Sequence, residues 1–330
     1  RPEFEFTMNL AGADLHTLNL VKKDSIFRAT ALVTANFSGN SPDNLEGDLR
    51  LINSTLQNSN GKLNIYDFLI NSEIVNGEPR LKLRSDFTDA DVKGRYTFEA
   101  IGRGVTAMLA DLFPSRFKKP VTKKGEEPAE AEFTLDARIK KIDKLNEFFG
   151  TGLGVSEGTR ITCSFWSDRP EIIADVKADA ITYMGMRMGR MNLTGSVRNG
   201  SMHLDLKADT VLLPDKSELG NYNLAAVSSN DTTDLNIDWD NKDEGRTFGE
   251  VKARGFFSLG AENRPSLTVA VLPSLVTVNN SQWNISPARI VIDSVSTFFD
   301  NILVSSRTKY ISLGGRLSKV PEDKLTLSFE

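Results

Sequence analysis

One cysteine, two histidines, three tryptophans and five tyrosines in 330 residues leave few of the side chains that do chemistry. Cys163 alone permits no intramolecular disulfide, no CxxC pair and no cysteine-built zinc site, and it does not separate an oxidising compartment from a reducing one. No run approaches the ~18 apolar residues of a membrane-spanning helix, and no charged-then-apolar leader opens the chain. An excess of one charge sign is missing too. Lys and Arg total 40 against 44 Asp and Glu, a net charge of −4 spread along the chain, which gives nucleic acid no basic footprint. The chain opens at Arg1 and stops inside the strand-like "KLTLSFE", so it reads as an internal segment, and any anchor or targeting signal is expected outside it.

What is abundant is alternation. "DLRLI", "GKLNIYDF", "PRLKLRSDF", "VKGRYTFEA", "EFTLDARI", "TRITCSFW", "MHLDLKA", "DLNIDWD", "ARIVIDS" and "KLTLSFE" each place apolar side chains on one sheet face and polar ones on the other. The turn signals "NSNG", "VNGEP", "RNG", "NKDEG" and "GAENRP" separate them, and strands so briefly connected pair as antiparallel neighbours in a meander. No repeat of solenoid length recurs.

Two segments have helical spacing. In "GVTAMLADLFPSRF" the stripe Val105, Met108, Leu109, Leu112 and Phe113 predicts a helix over 104–113, stopped by Pro114 and buried as a plug on the sheet. In "IDKLNEFFG", Asp143 is the expected N-cap, Leu145, Phe148 and Phe149 share the expected apolar face, and Gly150 suits the C-cap. Between the two lies "KKPVTKKGEEPAEAE" (118–132), rich in Pro, Gly and charge, the expected linker. The domain reading is a β-module over 1–117, this linker, and a second β-module over 133–330, continuous with the first or separate from it.

Candidate chemistry is sparse. His203 alternates with Met202, Leu204 and Leu206 and so belongs to the polar face, and His16 has no nucleophile-elbow context nearby. "GTGLGVSEG" has Val155 where a dinucleotide fingerprint needs glycine and follows a helix rather than a strand, so it reads as a cap and turn. "NDTTDLNIDWDNKDEG" has Lys242 where an EF-hand from Asp238 requires an oxygen ligand. Its alternation makes Leu235, Ile237 and Trp239 one buried face, with Asp234, Asp238 and Asp240 opposite or flanking, and a solvated strand and turn is the simpler account. Arg116, Lys118, Lys119, Lys123 and Lys124 suit anionic headgroups, but Glu126, Glu127, Glu130 and Glu132 follow at once, and a solvated linker is the simpler account. In "YMGMRMGRMNL" the spacing of Met184, Met186 and Met188 fits either an adaptable ligand face or a core face. No metal site, cofactor or catalytic group is expected. A carbohydrate-active β protein with a carboxylate pair stands as the enzyme alternative.

So many amphipathic strands need their apolar faces covered by a second sheet, by helices or by a ligand, and two short helices cover little. The expected fold is all-β: an elongated, mainly antiparallel sheet curled into a β-taco-like trough with an apolar interior. Alternation assigns Leu49, Leu51, Leu63, Ile65, Leu81, Leu83, Tyr96, Phe98, Leu204, Leu206, Ile290 and Ile292 to that interior, with Met184 and Met186 as further candidates. A closed β-sandwich, in which the same residues form an ordinary core, is the competing reading.

"RPEFEFTMNLAGADLHTLNLVKKDS", "LEGDLRLINSTLQNSNGKLNIYDFLINSE", "RLKLRSDFTDADVKGRYTF" with "LADLFPSRF", and later "WNISPARIVIDSV" with "KYISLGGRLS", resemble in order the TamB-like translocation and assembly module proteins of the AsmA/TamB superfamily, in their Bacteroidetes form. The likeness covers most of the chain and is strongest in 1–117 and 280–330. It implies a periplasmic protein anchored at the inner membrane, whose apolar β-trough carries phospholipid acyl chains toward the outer membrane and supports protein assembly beside a BamA-type barrel. The family's N-terminal anchor and C-terminal barrel-binding end are not in this sequence, so those contacts would be made by regions outside it.

Overall fold

The computed structural model describes residues 2–17, 27–40, 42–121, 130–242, 246–260 and 264–330. Contacts group the chain into two compact units, one of residues 1–101, 129–166 and 174–191, the other of 102–128, 167–173 and 192–330. Both are built from antiparallel strands, and the fold is all-β with two α-helices among the described residues.

The first unit opens as a meander: β1 (Glu3–Asp14), β2 (Arg28–Ser38), β3 (Glu46–Asn58), β4 (Gly61–Val75), β5 (Glu78–Ser85) and β6 (Thr88–Arg95), each antiparallel to its predecessor. After α1 (Phe98–Leu112) the chain returns as β7 (Glu132–Ile139), which pairs with β6 from Thr88↔Ile139 to Arg95↔Glu132. Then come α2 (Asp143–Phe149), β8 (Leu153–Val155) and β9 (Arg160–Trp166), with β9 on β7. β8 pairs with β10 (Glu171–Tyr183), and β11 (Met186–Arg198) follows a two-residue turn. The expected linker is irregular where it is described, at 118–121 and 130–131, while 122–129 lie outside the described residues and Glu132 already begins β7. The β6–β7 ladder is what keeps 132–166 with the first unit.

In the second unit β12 (Ser201–Leu212), β13 (Glu218–Ser229), β14 (Thr232–Asp240) and β15 (Phe248–Leu259) continue the meander. β15 then carries two shorter partners end to end, β16 (Pro265–Val271) and β17 (Ser274–Val278). The same splitting recurs one layer on, where β18 (Ser281–Ile285) and β19 (Ala288–Asp293) both pair with β20 (Ser296–Ser305). Pro273 and Pro287 stand at the two breaks; neither has an N–H to give the ladder. β21 (Tyr310–Ser318) and β22 (Leu325–Phe329) complete the unit.

Hairpin chemistry explains the tightness of these connections. Asn76-Gly77, Met184-Gly185, Asn199-Gly200, Asn230-Asp231 and Asn279-Asn280 all have positive φ at both turn residues, the geometry whose twist matches paired strands. Within strands, the bulges at Asn53/Ser54 of β3 and Asp300/Asn301 of β20 add one residue and shift the register. The inward set of β3 accordingly runs Leu49, Leu51, then Ser54 and Leu56.

α1 begins earlier than the spacing predicts. Thr97 Oγ1 accepts from the Ala100 N–H at 3.0 Å, and Asp43 Oδ1 accepts from the Phe98 N–H at 2.8 Å, so the helix starts at Phe98. "VKGRYTFEA" is therefore a strand only as far as Arg95. Two orphan N–H groups met by side chains outweigh its alternation. The buried line of α1 is Ala100, Gly104, Met108 and Leu112, at i, i+4 spacing. Leu109 and Phe113 are half-buried, but Val105, expected in the stripe, is 41% exposed because it lies off that line. α2 has Ile142 at its N-cap, without a side-chain cap bond; Asp143 is its first helical residue rather than the cap. Gly150 closes it in the left-handed region at φ 62°, as expected. Leu145 and Phe148 face inward, whereas Phe149 turns out to solvent.

Much of the sheet surface is uncovered. No residue of β1 is buried, and exposed apolar side chains recur on β10, β15, β21 and β22. The described core cluster is correspondingly local: Leu63, Ile65, Phe87 and Phe148, with Phe27, Leu56, Phe68, Ile142 and Leu145 packed round them.

Candidate functional site

Residues directly opposite in antiparallel strands project to one face, so the registers trace that face residue by residue. In the first unit one row runs Phe6, Ala35, Leu49, Ile70, Leu83, Ala90, Ala137 and Ile161 across eight strands. The neighbouring rows contain Met8, Val33 and Leu51, then Leu81, Val92, Leu135 and Cys163. The opposite face alternates with it as Asn36, Asp48, Asn71, Lys82, Asp91 and Asp136, tied by Lys82 to Glu73 at 2.6 Å and by Arg84 to Asp91 at 2.9 Å. The same division runs through the second unit. Leu204, Ala226, Leu235, Ala253, Val271 and Ala288 form one apolar row, and Val269, Ile290 and Phe299 lie in the next.

In the first unit this face hollows into a groove of about 580 Å³. Leu49, Ile70, Leu81, Tyr96 and Phe98 supply its walls. Glycine shapes it at Gly47, opposite Phe37 with φ 135°, where an added Cβ would stand 2.1 Å from the Asn36 carbonyl oxygen. Gly94 repeats the arrangement opposite Phe133. An aromatic ring over a strand glycine covers backbone the glycine leaves bare.

The predicted residues fall into four groups. Leu49 and Leu81 line the groove, Leu51 and Leu83 belong to the same face, and Leu204, Leu206, Ile290 and Ile292 lie on the apolar face of the second unit. Leu63 and Ile65 share the sheet face but are buried in the cluster that includes Phe148 of α2, so they are core and not open lining. Tyr96 and Phe98 reach the groove from irregular chain and from the first residue of α1, not from a strand as expected. Met184 does not share a strand face with Met186. It occupies the β10–β11 turn, where its φ of 49° takes it out of the pleat, and it is exposed.

Sequence reasoning missed Phe37, Leu45, Ile70 and Ile74, which also border the groove, and the edge residues Phe4, Phe6 and Met8. The signal was present, since "FEFTMNL" alternates as cleanly as any stretch in the chain.

The other candidates resolve into structural roles. His203 is exposed, paired across the strand with Val227 next to Asp234, and the His16 N–H donates to Asp14 Oδ1 in a turn. Asp234 pairs with Arg254, Asp238 accepts from Asn223, and Asp240 pairs with Arg246 at 2.8 Å, whose guanidinium holds that carboxyl below its usual range. Leu235, Ile237 and Trp239 occupy the opposite face. Residues 243–245 of that stretch, and Lys123, Lys124, Glu126 and Glu127 of the charged one, lie outside the described residues. Gly150 and Gly152 take left-handed geometry as cap and turn. Burial pushes the half-buried Cys163 thiol up, which disfavours the reactive thiolate. Among the described residues no group of three or more His, Cys, Asp or Glu side chains is gathered to hold a metal ion.

Comparison of the chain with protein-family models, curated proteins and solved structures finds no match.

Proposed function

We propose that this chain is a segment of a TamB-like bridge protein of the periplasm, carrying phospholipid acyl chains along its apolar sheet face between the inner and outer membranes. The observation that carries the reading is the unbroken apolar row across the strands of the first unit, opening into a groove walled by Leu49, Ile70, Leu81, Tyr96 and Phe98. Each buried methylene contributes about 0.8 kcal/mol, so a stretch of about ten gains about 8 kcal/mol before ordering costs. Passage along such a surface is solvation and requires no bond chemistry, which agrees with treating the chain as a non-enzyme that needs no cofactor. Inner-membrane anchoring and contact with a BamA-type barrel belong, in this reading, to regions outside the segment, and its part in outer-membrane biogenesis and protein assembly follows from the same resemblance. Against a closed sandwich stands the exposure that Phe4, Phe6, Met8, Leu325, Leu327 and Phe329 retain on strands β1 and β22.

The test places a photocrosslinking amino acid at Leu83, at Leu206 and, as outward controls, at Lys82 and Lys207 in the native membrane context. Lipid adducts at the two leucines and none at the lysines support the conduit. Equal labelling, or none at the leucines while the protein is folded, overturns it.

A further inference from the structure

The groove of the first unit is apolar along its length but not neutral at its border. Every charged residue that lines it is acidic: Asp43, Glu46, Asp48 and Glu73. Glu73 is paired with Lys82, and Asp48 accepts from Asn71 Nδ2 at 2.8 Å on the outward face. Asp43 differs, because it stands with the aromatic side chains. Its Oδ1 accepts from the N–H of Phe98, and its charge, after burial, helps to push the Tyr96 phenol up. Among the described residues Asp43 has no cationic partner. Phe98 beside it keeps 64% of its surface in solvent, although it is the first residue of a well-capped helix with an apolar groove at hand.

Capping explains one oxygen of Asp43 and does not explain the exposed ring. The positive end of α1 amounts to about half a charge, and Glu99 in its first turn adds a second carboxylate. The carboxylate of Asp43 therefore remains net negative, with Tyr96 and Phe98 in the same groove lining. Carboxylate and ring faces together recognise an ammonium ion, the first by charge and the second by the ring quadrupole. An anionic headgroup meets no lysine, arginine or histidine among the lining residues.

We propose that this groove selects amphiphiles whose headgroup ends in an ammonium, with Asp43 and Phe98 as the specificity-determining residues and the tail along Leu49 and Leu81. The proposal rests on the lipid-carrying reading above and goes beyond it by naming the headgroup.

The experiment titrates the full chain with lysophosphatidylethanolamine and lysophosphatidylglycerol of one acyl chain, below their micellar concentrations, and counts bound lipid by native mass spectrometry. Wild type is expected to prefer the ethanolamine lipid roughly tenfold. Asp43→Asn is expected to reduce that preference to about twofold while retaining tail-driven binding. Phe98→Ala, at an exposed position that leaves the Thr97 cap intact, reduces it by a smaller factor and keeps the test informative if the Asp43 variant misfolds. Equal affinities in wild type, a preference for the glycerol lipid, or a preference unchanged in both variants overturns the headgroup assignment and leaves the conduit standing. Binding of neither lipid overturns the conduit, and the headgroup assignment with it.

Discussion

At the scale of single residues, the sheet depends on positions where a side chain cannot be added. Gly94, at φ 120°, has the Glu132 carbonyl oxygen 2.2 Å from where a Cβ would sit and Phe133 Cα at 2.8 Å. Gly94→Ala is expected to cost about 2 kcal/mol or more in urea unfolding, since backbone strain and a clash with a partner strand add. Gly102 in α1 meets nothing within 4 Å, so Gly102→Ala is expected to stabilise by about 0.5–1 kcal/mol in the same assay. Charge gives a second test. Asp293 accepts from the N–H groups of Val295 and Ser296 at 2.8 and 2.7 Å, and these hold its carboxyl below the ordinary range. A lowered folded value means that the stabilisation is complete above the unfolded value of about 3.9 and is lost as pH falls through the folded one. The gap in urea midpoint between wild type and Asp293→Asn is therefore expected to be constant near neutrality and to close below about pH 4. A gap independent of pH would show that the charge contributes nothing there.

At the scale of elements, α2 covers part of the sheet, a role that spacing assigns only to α1. α2 covers Leu63 and Ile65, with Phe148 edge-on to Phe27 at 5.9 Å, and Asn58 and Asn60 both donate to the Phe148 carbonyl. Phe148→Ala is expected to cost about 3–5 kcal/mol, while Phe149→Ala, at a solvent-facing position, changes stability by no more than about 0.5 kcal/mol. Denaturant midpoints of the two variants check both values. The strands themselves were legible: nine of the ten alternating stretches lie wholly or largely in strands, "VKGRYTFEA" being the exception, because period two on a half-covered sheet leaves little ambiguity. What escaped notice depends on partners distant in sequence. Asp43 capping Phe98 across 55 residues moved the start of α1, and the Met-Gly turn at 184–185 hid inside a run that alternates on both sides of it. Groove residues such as Phe37 were missed for the same reason, since a wall is defined by what faces it.

At the scale of the whole molecule, the two faces of the sheet make separable predictions. Leu83→Asp places a charge on the apolar row and is expected to lower co-purifying lipid severalfold, measured as phosphorus per mole of chain. Asp136→Lys, on the outward face of β7 and away from the groove lining, is expected to leave lipid content unchanged despite reversing a charge. A shared loss in both variants would trace the effect to folding rather than to the apolar face. The connectivity has one more consequence. In the meander from β1 to β6 every strand hydrogen-bonds the one that precedes it, and the β4–β5 turn is settled by Asn76 and Gly77 inside it. Gain or loss of one hairpin changes the breadth of such a sheet by two strand spacings, about 9.6 Å, and restores the direction of the chain with every other ladder untouched. Breadth in this architecture is thus a counted quantity, open to revision by duplication or deletion of hairpins, while the alternation that separates the two faces is inherited unaltered by each copy.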